Sequence, residues 1–173
     1  DIDAIAAVTE GIGGALLNHV GVVIENNWGV FVLEAFHPEV RVTSLQVHLR
    51  RSRDGAGLER YLVQRLKPAY SSLIEDALSY GLAQRDVPYD ELYLTDRAAL
   101  YCSELVVDMF ADANGGTPFF QERPMSFRDK VTGETHPAWV SYYEKLIWLV
   151  LAGLIAQTSL VAARSAQRAA VGR

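Results

Sequence analysis

The chain has 173 residues, a single cysteine and a formal net charge of −5. Half of its residues are hydrophobic and 21% are charged, which is the composition of a folded globular protein and excludes a disordered chain. One cysteine excludes an internal disulfide and a cysteine-based structural zinc site. Because the sequence shows no sustained basic face, nucleic acid is not an expected partner.

The N-terminal part of the sequence predicts a helix, a β-hairpin and a second helix. Residues 3–17 space their apolar side chains helically and then break at glycines. The runs NHVGVVIE and VFVLEAF are rich in β-branched residues and flank the turn-like NNWG. This pattern predicts a hairpin that is buried on both faces. The segment VTSLQVHLRR then predicts a short helix opened by Thr43 or Ser44.

The middle of the chain predicts one more strand and two helices. Residues 58–67 alternate like a strand with one solvent-facing side, and residues 69–85 form an amphipathic helix. After a loop, YCSELVVDMFADANGG predicts a helix closed by its NGG. The fold class is therefore α+β, a small antiparallel sheet packed with helices. Three arginines are interpreted as part of a solvated loop: Arg50, Arg51 and Arg53.

The C-terminal end differs from the rest of the chain. Residues 146–163 carry no charge and are mostly apolar, which approaches the ~20 residues of a membrane span. Polar residues in the middle interrupt this run, so we expect a packing or dimerising helix, with contact to a membrane surface as the alternative. The predicted organisation is a domain over residues 1–145 and an atypical apolar helical tail over residues 146–173.

Cys102 lies in the first turn of a predicted helix. A cysteine nucleophile must be a thiolate near neutral pH, although an ordinary cysteine has a pKa of about 8.5. A helix N-terminus and a neighbouring imidazolium both favour the thiolate. The alternative is a structural role, because free cysteines are also common as small hydrophobic residues in protein cores.

The hairpin brings a histidine and a glutamate to one face of the predicted sheet. With NN as the turn, His19 lies opposite Glu34; with NNWG as the loop, Glu34 becomes the diagonal neighbour on the same face. Such a pair can orient a catalytic base, or it can serve only to hold the sheet together. The remaining histidines are interpreted as surface or turn residues: His37, His48 and His136.

The order HVG, VLEA and YCSELV, which contains His19, Glu34 and Cys102, resembles the permuted papain-like amidases, the YiiX/YaeF-like branch of the NlpC superfamily. The resemblance extends over roughly residues 1–145. It implies a circularly permuted papain-like fold in which the strands precede the cysteine helix. A strand that family members carry before the first helix is expected to be missing here.

The resemblance also implies the site residues and the reaction. Cys102 matches the nucleophile, His19 the base and Glu34 the residue that orients the imidazole. Tyr101 and Tyr89 are candidates for lining the substrate site, with simple aromatic packing as the alternative. The implied enzyme is a cysteine amidase or peptidase that cleaves an amide, peptide or related acyl bond, with no metal or organic cofactor. Cell-wall peptides, N-acyl amino acids and lipid amides are the substrate classes considered.

Two other functions remain open on the sequence alone. An acyltransferase acting on a lipid would use the same three residues with an amine or alcohol in place of water. A catalytically inactive binding module would keep the fold without the reaction. A metal-dependent hydrolase is disfavoured because the histidines lack the i, i+4 spacing that places two ligands on one helix face.

Overall fold

The structure, a computed structural model, describes residues 2–8, 12, 15, 17–94, 98–122, 126–129 and 131–149. The chain divides into two compact units. The first contains residues 1–18 and 124–173, and the second contains residues 19–123.

The helices and strands confirm the α+β class. In chain order they are α1 (Ile2–Val8), β1 (Val22–Asn26), β2 (Gly29–Phe36), β3 (Glu39–Ser44), α2 (Leu45–Arg51), a 3-10 helix (Pro68–Leu73), α3 (Ile74–Ala83), α4 (Cys102–Ala113) and α5 (residues 137–149). α1 and α5 belong to the first unit, and all the other elements belong to the second.

The strands of the second unit form an antiparallel meander in the order β1-β2-β3. Glu25 pairs with Val30, which is the register of the NNWG alternative. The expectation of burial on both faces is confirmed for the middle of β2, where residues 32–35 are all buried. It is wrong for β1, where Val23 is 53% exposed. β1 is an outer strand of the sheet, and among the described residues its side chains are less covered than those of β2.

The sequence interpretation missed β3 and placed a strand where none forms. β3 pairs with β2 through Val42 opposite Leu33, and its last three residues, 42–44, had been assigned to the following helix. That helix does begin after Ser44, although the Ser44 side chain makes no capping hydrogen bond. Residues 60–67 form no strand. Their alternation is that of a strand, but none of the described strands pairs with them, and Tyr61 and Val63 are more than half exposed.

The hydrophobic core of the second unit lies between β2, α3 and α4. Its buried residues are Leu33, Ala35, Val40, Ala77, Leu100, Leu105, Met109 and Phe110. Among the apolar residues of the predicted amphipathic helix, Ala77 is buried, whereas Ile74 and Leu82 are 42% and 39% exposed. A Cβ at Gly81 would lie 2.7 Å from both Leu33 Cδ2 and Met109 Sδ, so a glycine at this position lets the layers approach closely.

The first unit is organised around Trp139. Its side chain is 1% exposed, and its Nε1 donates a hydrogen bond of 3.0 Å to the Ala4 carbonyl. This bond joins α5 to α1. Phe127 and Tyr143 pack against the indole ring.

Most of the predicted apolar tail lies outside the described residues, which end at 149. The described end of α5 is exposed, with Trp148 at 72%. Among the helices that the structure describes, none combines the length and the hydrophobicity needed to cross a membrane.

Candidate active site

α4 begins at Cys102, as the sequence predicted. Tyr101 is the N-cap in an extended conformation, and the Leu105 N–H donates to the Tyr101 carbonyl at 3.1 Å. The Cys102 N–H therefore precedes the hydrogen-bond ladder of the helix. The segment before the helix is held by a bridge between Leu100 and Tyr89. Cys102 itself is 7% exposed.

His19 lies three residues before β1 and contacts both of its expected partners. Its Nε2 is 2.8 Å from Glu34 Oε2, and the neighbouring Cys102 side chain raises the pKa of the same imidazole. Since Nε2 is engaged by the carboxylate, Nδ1 is the nitrogen left for the thiol. The structure thus brings the three expected residues together, in the order Cys102–His19–Glu34.

Glu34 is fully buried and has more partners than the hairpin alone suggested. Its Oε2 also accepts from His48 Nδ1 at 2.9 Å, and its Oε1 accepts from Arg51 Nη2. The Thr43 side chain is a further hydrogen-bond partner. Because an ionised carboxylate only accepts hydrogen bonds, His48 carries its proton on Nδ1.

The interpretation of His48 and Arg51 as solvated surface residues is therefore wrong. Their side chains are only 21% and 26% exposed. They lie three residues apart on α2, so they share the helix face that turns toward Glu34. The solvated interpretation does describe Arg53, which is 49% exposed, and also His37, which is 68% exposed.

The pKa values of His19 and Glu34 agree with the hydrogen bond between them. Burial lowers the pKa of His19, but hydrogen bonds and electrostatic attraction from Cys102 and Glu34 outweigh it and raise the pKa to about 9. Burial raises the pKa of Glu34, but hydrogen bonds from His19, Thr43 and Arg51 lower it well below its usual range. At neutral pH the site therefore contains an imidazolium hydrogen-bonded to a carboxylate.

The two predicted substrate-site tyrosines belong to one aromatic cluster. Tyr93 joins them, with ring centroids 5.5 Å from Tyr101 and 6.4 Å from Tyr89. Burial raises the pKa of Tyr101, and the negative charges of Glu104 and Cys102 add to this effect. The sequence interpretation missed Tyr93, although its spacing of four residues from Tyr89 in PYDELY was a visible signal.

A metal could in principle use donor atoms from His19, Glu34 and His48, which all lie within 4.8 Å of one another. The tertiary fold, and not a helical i, i+4 spacing, brings the two histidines together. The same carboxylate already binds the Arg51 guanidinium, and a metal ion there would face this positive charge. The observed arrangement is therefore that of a hydrogen-bonded charge network.

Comparisons with known proteins show the family to which the chain belongs. The sequence profile of the permuted papain-like amidases, YaeF/YiiX, matches residues 3–132. Among solved structures, the chain is similar to the metalloprotein YiiX from Escherichia coli at 21% identity, with a TM-score of 0.48. The similarity covers 65% of this chain and 58% of that one. None of the curated proteins matches the chain. Since the family profile covers well over half of the residues, the chain belongs to the YaeF/YiiX family of permuted papain-like amidases, which are enzymes of the cysteine peptidase type.

Proposed function

We propose that this amidase hydrolyses an amide, peptide or related acyl bond through Cys102, His19 and Glu34. The observation that carries the proposal is the 2.8 Å contact between His19 and the buried Glu34, with Cys102 close enough to raise the pKa of the same imidazole. A nucleophile, a base and a group that orients the base are the parts that covalent acyl transfer requires.

In the proposed reaction, the proton of the Cys102 thiol already resides on His19 as the imidazolium, and the Cys102 Sγ thiolate attacks the carbonyl carbon of the substrate. The oxyanion that forms accepts a hydrogen bond from the Cys102 N–H at the start of α4, a type of contact worth about 3 kcal/mol. His19 then gives the proton to the leaving amine as the C–N bond breaks, which leaves a thioester. Water attacks the thioester, His19 accepts a proton from it, and the acid and free thiol are released.

Glu34 has an orienting role in this proposal. Its Oε2 holds Nε2 of His19, which directs Nδ1 toward the thiol. It also stabilises the imidazolium that exists while His19 carries the proton of the thiol. Because Glu34 is excluded from water, this electrostatic contribution is little screened.

We propose that Tyr89 and Tyr101 line the acyl or peptide side of the site, since their cluster adjoins the start of α4. Aromatic side chains of this kind bind apolar groups while their hydroxyls make polar contacts. A cell-wall peptide, an N-acyl amino acid or a lipid amide each presents a carbonyl that the thiol can attack.

The proposal is tested by trapping the thiol with a peptidyl or acyl electrophile at pH 7. We expect labelling of the wild type, none in Cys102→Ala, and a rate reduced about 100-fold or more in His19→Ala, because proton transfer by a positioned base contributes 10²–10⁴-fold. His37→Ala is the control, since His37 is 68% exposed and pairs with Glu91 on the surface. Labelling at the wild-type rate in His19→Ala would contradict the triad.

Product analysis separates the related functions. Incubation with model amides, with and without an added amine or alcohol acceptor, is expected to give the free acid as the main product. Predominant transfer to the acceptor would instead identify an acyltransferase. Efficient labelling without turnover of any amide or ester would identify a binding module that kept the reactive thiol.

A further inference from the structure

Arg51 binds Glu34 with one arm of its guanidinium group. Its Nη2 donates to Glu34 Oε1, whereas its Nε and Nη1 are buried and have no hydrogen-bond partner among the described residues. The guanidinium carbon lies 4.0 Å from the centroid of the Phe36 ring. Arg51 is thus held next to the Glu34 carboxylate, and the N–H groups on its Nε and Nη1 are not used in hydrogen bonds to the described residues.

The Oε2 atom of Glu34 therefore has two competing sets of hydrogen-bond donors, the two histidines or Arg51. In the structure, Oε2 accepts from both His19 and His48, at 2.8 and 2.9 Å. Arginine and carboxylate groups frequently pair through two parallel hydrogen bonds, which is the stronger form of the contact. Rotation of the carboxylate would let Oε2 reach a spare donor of Arg51, and His19 would lose its partner.

We propose that His48 is a positioning residue that keeps Glu34 Oε2 on His19 and prevents a two-bond pair between Glu34 and Arg51. The inference deepens the proposed function and rests on it. His48 and Arg51 both come from α2, so one helix supplies the anchor for Oε1 and the donor that holds Oε2. Thr43 is the further partner of the carboxylate.

Two substitutions of His48 distinguish the effect of its hydrogen-bond donor from the effect of its side-chain volume. His48→Asn keeps an N–H donor near the position of Nδ1, whereas His48→Leu removes it. In His48→Leu we expect labelling of Cys102 to slow about tenfold, a common effect of losing a residue that orients another. With a substrate, kcat is expected to fall while KM stays constant. His48→Asn is expected to restore most of the rate.

The pKa of His19 can be measured by NMR titration of its ring. This pKa would not change if His48 served only to stabilise the fold. In His48→Leu we expect it to fall from about 9 toward the ordinary 6.5, because the imidazolium loses its carboxylate. His48→Asn is expected to keep the high value. His37→Leu is the matched control, since it removes an exposed histidine from a 2.8 Å carboxylate pair.

An Arg51→Lys background tests the competition itself. Lysine keeps the positive charge but cannot form the two-bond fork, so His48→Leu is expected to have a smaller effect there than in the wild type. An equal effect in both backgrounds, or a His19 pKa and labelling rate unchanged in His48→Leu, would overturn the inference. If the wild type itself shows no labelling that depends on His19, the proposed function fails, and the NMR titration still reports whether His48 holds Glu34.

Discussion

At the scale of single residues, a buried carboxylate is maintained in its ionised form by the donors around it. Glu34 has no solvent exposure and is bonded by two imidazoles and a guanidinium. A buried charge with fewer partners would neutralise itself by taking up a proton. Instead the pKa of Glu34 falls and that of His19 rises, so the pair is also a source of folding stability.

The pH dependence of stability tests the charge on His19. Its pKa is raised from 6.5 to about 9 in the folded protein, so the folded state keeps a proton that the unfolded chain releases. The resulting stabilisation, on the order of a few kcal/mol, is fully present below pH 6.5 and is lost as the pH rises through 9.

The measurement is urea unfolding of the wild type and His19→Gln at several pH values between 6 and 10. We expect the difference in free energy of unfolding between the two proteins to shrink as the pH rises. Titrating groups that do not contact His19 are common to both proteins and cancel in this difference. A constant difference over the whole range would contradict a raised His19 pKa.

At the scale of elements, the site depends on how closely the start of β1 approaches β2. A Cβ at Gly21 would lie 2.5 Å from Val32 Cγ1, 3.1 Å from the Leu33 carbonyl oxygen and 3.3 Å from Glu34 Cβ. The glycine of HVG is therefore required by packing, because a side chain there would push the chain away from β2. His19, two residues earlier, would move with it.

Gly21→Ala is expected to lower the free energy of unfolding by about 1–3 kcal/mol, the usual cost of forcing an extra methyl group into a packed site. It should also slow the labelling of Cys102, since His19 is displaced from Glu34. Gly55→Ala is the matched control, because a Cβ at Gly55 meets nothing within 4 Å. Thermal unfolding and labelling kinetics measure the two effects. Full activity in a stable Gly21→Ala variant would contradict the close-approach argument.

At the scale of the whole molecule, the described contacts of the site stay within one unit. Cys102, His19 and Glu34 and their described partners all belong to residues 19–123. The first unit has its own centre at Trp139, whose ring is buried and bonded to α1. The predicted association of the apolar tail with a membrane or a second chain stays a prediction, because residues 150–173 lie outside the described residues.

Trp139→Phe tests this division. The loss of the hydrogen bond to Ala4, together with the smaller ring, is expected to destabilise the protein by about 1–3 kcal/mol. The labelling rate of Cys102 below the unfolding transition should not change. Trp148→Phe is the control, since Trp148 is 72% exposed. A reduced labelling rate in folded Trp139→Phe would show that the site depends on the first unit.

Local patterns in the sequence were sufficient for the hairpin, the start of α4 and the pairing of His19 with Glu34. Side chains alternate along a strand, so an even loop length already places two residues on the same face. The first turn of α4 could be located because its apolar stripe and closing NGG mark both of its ends. These features depend on neighbours within a short stretch of chain, which is why the sequence alone could determine them.

The part of the site that His48 and Arg51 form could be found only from the tertiary structure. His48 and Arg51 are surface-like in sequence, and they reach Glu34 because α2 folds back over the sheet. The alternation of residues 58–67 predicted a strand, but a strand requires a partner, and the described strands provide none there. Which residues meet across the fold depends on the placement of whole elements, and periodicity along the chain contains no information about that placement.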